Sequence, residues 1–115
     1  HNAVDREKYK YSVQKREEIR GSMGITDQFV IGHVGNFCYQ KNHYFLLDVF
    51  EEVHKKDPNT VLLLAGDGVR FEKVRQIVAE KNLEDVVKLL GRRSDTDYLY
   101  QGMDAFLLPS NYRVL

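Results

Sequence analysis

The sequence predicts an α/β fold: a four-stranded parallel sheet with helices on both faces and one extra helix at the N-terminus. Three observations carry this expectation. Short runs that are apolar on both faces alternate with segments whose apolar residues recur at three- and four-residue spacing. Each run ends at a glycine or a proline. Strands without polar alternation belong to parallel sheets covered on both sides by crossover helices, whereas an antiparallel sheet with one wet face would alternate.

Taken in order, residues 5–23 are rich in Lys, Glu and Arg, with apolar positions scattered at Tyr9, Val13, Ile19 and Met23. Gly24 falls where a left-handed cap would close a helix. This reads as a polar surface helix starting near Tyr11, so that residues 1–24 form a lead-in and residues 25–115 the sheet-bearing domain. Residues 29–34 form the first strand. Residues 42–56 carry Phe45, Leu46, Val49, Phe50 and Val53 at helical spacing and stop at Asp57-Pro58-Asn59. Residues 61–65 are the second strand, followed by Gly66-Asp67-Gly68 as turn and helix entry. The next helix shows Phe71, Val74, Ile77 and Val78. Residues 86–90 form the third strand, and Ser94-Asp95-Thr96-Asp97 has the pattern of a capping box for a short helix reaching about Gly102. Residues 105–108 form the fourth strand, ended by Pro109.

Right-handed crossovers put the helices after strands one and two on the same face. The commonest doubly wound order for four such strands is 3-2-1-4, a Rossmann-like arrangement. Chain direction then reverses between strands one and four, and ligands of open α/β sheets bind outside the carboxyl ends at that switch point. The geometry selects residues 35–42 and 109–112. The first of these is also chemically suited to phosphate: the strand breaks at Gly35, Lys41 follows just before the helical pattern, and a helix start offers free N–H groups and a positive dipole end.

Composition narrows the function further. The chain has 115 residues, 43% hydrophobic and 30% charged, enough for one compact domain. Seventeen basic and 17 acidic side chains cancel, which argues against nucleic acid as partner and leaves any anion site local. A single cysteine, Cys38, favours a reducing compartment. The expected setting is the cytoplasm. Apolar runs such as 61–65 are far below the roughly 20 residues of a membrane span. His43 and His54 stand eleven apart, about 16 Å along a helix, and cannot share one ion. His33 reads as a packed histidine making a local hydrogen bond, and Cys38 has no activating pair. No metal, cofactor or catalytic residue is expected in this piece.

Five segments together resemble the C-terminal half of a group 1 glycosyltransferase of the GT-B fold. They are Ile31-Gly32-His33-Val34-Gly35, Gln40-Lys41-Asn42-His43, Leu62-Leu63-Leu64-Ala65-Gly66-Asp67-Gly68, Lys88-Leu89-Leu90-Gly91, and Met103-Asp104-Ala105-Phe106-Leu107-Leu108-Pro109-Ser110. The resemblance implies a site for a nucleotide-diphosphate sugar of UDP or GDP type. Lys41 would contact the donor diphosphate, Gly35 would let the chain turn close to it, and the backbone at Gly91 and Arg92 would lie near the nucleobase. Asn36 stands where the family often carries a second diphosphate-binding arginine, and Ser110 belongs to the last matching segment.

The family continues into a Glu, seven residues, Glu motif. The position of the first acid is Arg113, and the second would lie past Leu115. The chain is therefore expected to be a fragment that ends before this motif, is inactive alone, and has the N-terminal half of the parent as partner. An apolar face exposed near strands one and four is expected to drive self-association or to hold the Val114-Leu115 tail. The alternatives are a non-catalytic nucleotide-binding or packing module and a nicotinamide dehydrogenase. The latter's fingerprint, Gly-x-Gly-x-x-Gly, is not met by Gly32-x-x-Gly35.

Overall fold

The computed structural model describes residues 3–35 and 40–107, with side chains over 13–35 and 43–107. Its elements are α1 (Ala3–Ser22), β1 (Phe29–Val34), α2 (Gln40–Lys56), β2 (Thr60–Ala65), α3 (Phe71–Glu80), β3 (Val87–Gly91), α4 (Thr96–Tyr100) and β4 (Ala105–Phe106). All strand pairs are parallel, and the order is β3-β2-β1-β4, as expected from the alternation of strand and helix. β1 and β2 align from Phe29↔Thr60 to Val34↔Ala65, while β4 meets β1 at Ile31↔Ala105 and Gly32↔Phe106.

Successive side chains of a strand point to opposite faces. Ile31, Leu62, Leu64 and Val87 turn toward α2 and α3, where Leu47, Phe50, Val74 and Val78 complete the larger core. Val30, Val61, Leu63 and Ala65 turn the other way, against Ile19, Ile25, Met23, Leu99 and Met103. Gly32 lies on that second face, and a Cβ there would run into the Met103 sulfur. Burial on both faces explains why β1 and β2 show no polar alternation.

α1 differs from its expectation in two ways. It starts at Ala3, well before Tyr11. Lys, Glu and Arg are good helix formers, so propensity extends the helix where no apolar periodicity announces it. It is also not purely a surface helix, since Ile19 and Arg20 are 3% and 7% exposed. Its end is as read: Gly24 has φ 71°, the Ile25 N–H bonds the Arg20 carbonyl at 2.8 Å, and the Gly24 N–H bonds the Gly21 carbonyl at 3.2 Å. This is a Schellman motif.

Because α1 and α4 cover the second face, the apolar surface expected to be bare near strands one and four is reduced, among the described residues, to Phe29 at the start of β1 and to the β4 edge. There Phe106 and Tyr100 are 41% and 40% exposed and meet edge-on. α4 is short and carries no capping box: Asp95 makes no side-chain cap bond and instead takes the Arg93 guanidinium.

Candidate functional site: a crevice at the carboxyl ends of the strands

Three strand ends are laced together just past their last residues. The Gly35 N–H bonds the Ala65 carbonyl at 3.0 Å, and the Gly66 N–H bonds the Gly91 carbonyl at 2.7 Å. Gly66, Gly68 and Gly91 have φ of 139°, 148° and 71°, conformations that side-chain-bearing residues rarely adopt. Above this floor opens a cavity of about 210 Å³ walled by Val34, Gly35, Ala65, Gly66, Asp67, Arg92, Arg93 and Thr96.

The crevice brings together Gly35 and Arg92, with Gly91 directly beneath. Arg92 is exposed and has no ion pair among the described residues. Arg93 is held by Asp95 through Nε to Oδ1 at 2.9 Å and Nη2 to Oδ2 at 2.7 Å. The hydrogen bond to Asp95 raises the Arg93 pKa, and the same bond lowers that of Asp95. Asp67 has two parts: its Oδ1 accepts the Gly68 N–H at 2.7 Å, the turn role expected of it, and its carboxylate also walls the crevice. Lys41 is the second residue of α2, in the turn whose N–H groups have no intrahelical partner; its side chain lies outside the described residues. Asn36 and Ser110 lie outside them altogether. Sequence reasoning missed Arg93 and Thr96, for which adjacency to Arg92 and to the short helix was the only signal.

His33 corrects one expectation. It is buried, but its bond is not local: Nδ1 lies 2.9 Å from the Leu107 carbonyl, 74 residues away. A carbonyl only accepts, so Nδ1 carries the proton. Burial lowers the pKa of the ring, with the Leu107 bond opposing, which keeps the imidazole neutral.

A larger hollow of about 460 Å³ sits at the opposite end of the sheet, lined by Arg16, Arg20, Thr26, Gln28 and Asp104 among others. Its cations are committed. Arg20 donates to the Gly102, Thr26 and Gln28 carbonyls at 2.9, 2.9 and 2.6 Å and pairs with Asp104, which also holds Arg16 and accepts the Val30 N–H. This hollow is a structural clamp.

A doubly wound parallel sheet with a crevice over its carboxyl ends defines an α/β domain of Rossmann type. The family model for glycosyl transferases group 1 matches residues 15–114, and the chain belongs to that family. It is 32% identical over 115 residues to the putative glycosyltransferase EpsF of Bacillus subtilis (strain 168), covering 99% of this chain and 30% of EpsF. It is 32% identical over 90 residues to the lipopolysaccharide core biosynthesis glycosyltransferase LpsD of Rhizobium meliloti (strain 1021), covering 78% of this chain and 25% of LpsD. Among solved structures, Anabaena HepE in complex with UDP-glucose superposes with a TM-score of 0.71 at 26% identity, over 81% of this chain and 26% of HepE. The chain thus spans less than a third of the length of these relatives. No helix among the described residues is long and apolar enough to cross a membrane.

Proposed function

We propose that the protein containing this chain is a glycosyltransferase that moves a sugar from a nucleoside-diphosphate donor to a glycan or lipid acceptor, and that this chain carries part of the donor site. The single observation behind the reading is the crevice over β1 to β3, on whose wall stands Arg92, exposed and without an ion pair among the described residues. A diphosphate needs dense, convergent donors: free helix N–H groups, a lysine such as Lys41 and an exposed arginine supply them. In this reading Gly35 and Asn36 serve the diphosphate, Gly91 and Arg92 the nucleotide, and Ser110 belongs to the same donor site. Family membership supports sugar transfer as the chemistry, and the UDP-glucose complex of HepE supports a UDP-type donor. The relation to LpsD supports a glycan or lipid acceptor.

The same reading assigns the acceptor site to an N-terminal half that closes over the donor, and the enzyme to the cytoplasm. The chain alone binds donor without transferring sugar. Titration calorimetry with UDP and GDP tests this. One of the two binds, and Lys41→Ala weakens it about ten- to a hundredfold, the worth of a charged hydrogen bond of roughly 1.5–3 kcal/mol. Binding of NADH in preference to both nucleotides would favour a dehydrogenase, and binding of none a packing module.

A further inference from the structure

We propose that His33 is a positioning residue whose imidazole props Gly35 from below while the last strand holds it, fixing the β1 lip of the crevice relative to the exit of β4. The side chain is 0% exposed. With the proton on Nδ1 engaged by the Leu107 carbonyl at 2.9 Å, Nε2 presents a bare lone pair that has no hydrogen-bond partner among the described residues. That atom lies directly beneath Gly35: a Cβ at this position would stand 2.9 Å from Nε2 and 3.3 Å from Cε1.

Gly35 is not among the glycines with positive φ, so its backbone conformation does not demand glycine. The imidazole does. The ring also meets His43 of α2 edge-on, with centroids 5.2 Å apart, and stacks 6.4 Å from Phe106 of β4. One side chain therefore touches β1, α2 and β4, the three elements that converge on the switch point. The order of the sheet makes this possible, because β1 and β4 are neighbours. A single ring thus bridges Gly35, at the end of β1, and the Leu107 carbonyl, just past β4. The consequence for nucleotide binding rests on the donor reading above.

The test uses the 115-residue chain, with calorimetry against UDP or GDP, whichever binds, and urea unfolding on the same proteins. Gly35→Ala alone weakens the nucleotide about tenfold, because the new methyl lifts the lip away from the ring. Adding His33→Asn, whose shorter side chain can still reach Leu107 but not Gly35, restores affinity to within about threefold of His33→Asn alone. Adding His33→Gln instead restores nothing, since its terminal amide extends about as far as Nε2. A histidine with only a bulk structural role would lower stability without this selective rescue. Additive losses in the Gly35→Ala/His33→Asn double variant, or equal behaviour of the Asn and Gln backgrounds, overturn the proposal. If neither nucleotide binds the unsubstituted chain, the donor reading fails, and the unfolding data still decide the prop. Non-additive stability changes between Gly35→Ala and His33→Asn support it, and additive ones overturn it.

Discussion

The two ends of the sheet carry similar charges and use them in opposite ways. At the amino end, Arg16 and Arg20 direct their guanidinium groups at Asp104 and at backbone carbonyls, and the surrounding hollow is the larger of the two. At the carboxyl end, the smaller cavity keeps Arg92 open to solvent, while its neighbour Arg93 is neutralised by Asp95. Volume is therefore a poor guide to a site. What distinguishes the proposed donor crevice from the clamp is that Arg92 on its wall is not answered by an ion pair among the described residues.

The sharpest break of this comparison is Asp104→Ala. Arg20 and Asp104 have side chains only 8% and 22% exposed. Removing the acid leaves the buried Arg20 guanidinium with its carbonyl acceptors but without its counter-charge, and the Val30 N–H without its acceptor, at a cost of about 3–5 kcal/mol in urea unfolding. Nucleotide affinity of the folded molecule stays as it was, because the clamp lies at the far end of the strands. The opposite end gives the next effect. Arg92→Ala weakens a bound nucleoside diphosphate about tenfold in calorimetry, whereas Arg93→Ala, whose charge Asp95 already matches, changes it less than about threefold.

The smallest effect separates the ends by pH. The His33 ring is depressed in the folded chain by burial, with the Leu107 bond opposing. Above about pH 6.5 folded and unfolded chains are both neutral at this residue and its contribution is intact. Below that, the unfolded chain takes up a proton that the folded one resists, so stability falls until pH reaches the folded pKa. The limit is about 1.4 kcal/mol per pH unit for one group. Melting temperatures measured from pH 8 to 5 decline, and His33→Asn flattens the decline; His43, edge-on to the ring, is the titratable neighbour.

At the amino end the sign is reversed. Burial works to raise the Asp104 carboxyl, but the Val30 N–H and the Arg16 and Arg20 guanidiniums hold it below its ordinary value. Its contribution is present above about pH 4 and is lost only as pH falls through the folded value.

Much of the architecture was legible in the chain because strand burial on two faces leaves an unambiguous mark. The run at residues 29–34 and the stripe of Val74, Ile77 and Val78 could hardly fold otherwise, and strand order followed from handedness. Less was legible where the deciding interaction is long-range. Nothing near Arg20 announces that Asp104, 84 residues on, will draw it inward, so α1 read as a polar surface helix. His33 looked locally bonded because its partner, Leu107, is brought near only by the pairing of β4 with β1. In the crevice, Gly35 could be named from its place after a strand end, and Arg92 only from the resemblance to the family. Arg93 and Thr96 could not, because their part depends on how the chain turns after Gly91.

The backbone bonds from Gly35 to Ala65 and from Gly66 to Gly91 extend the ladder by one more rung beyond the last strand residues. The bottom of the crevice is in that sense sheet rather than loop, and it inherits the stiffness of the sheet. An insertion directly after β1 or β2 would tear the rung itself, whereas the same insertion a few residues later would leave it whole.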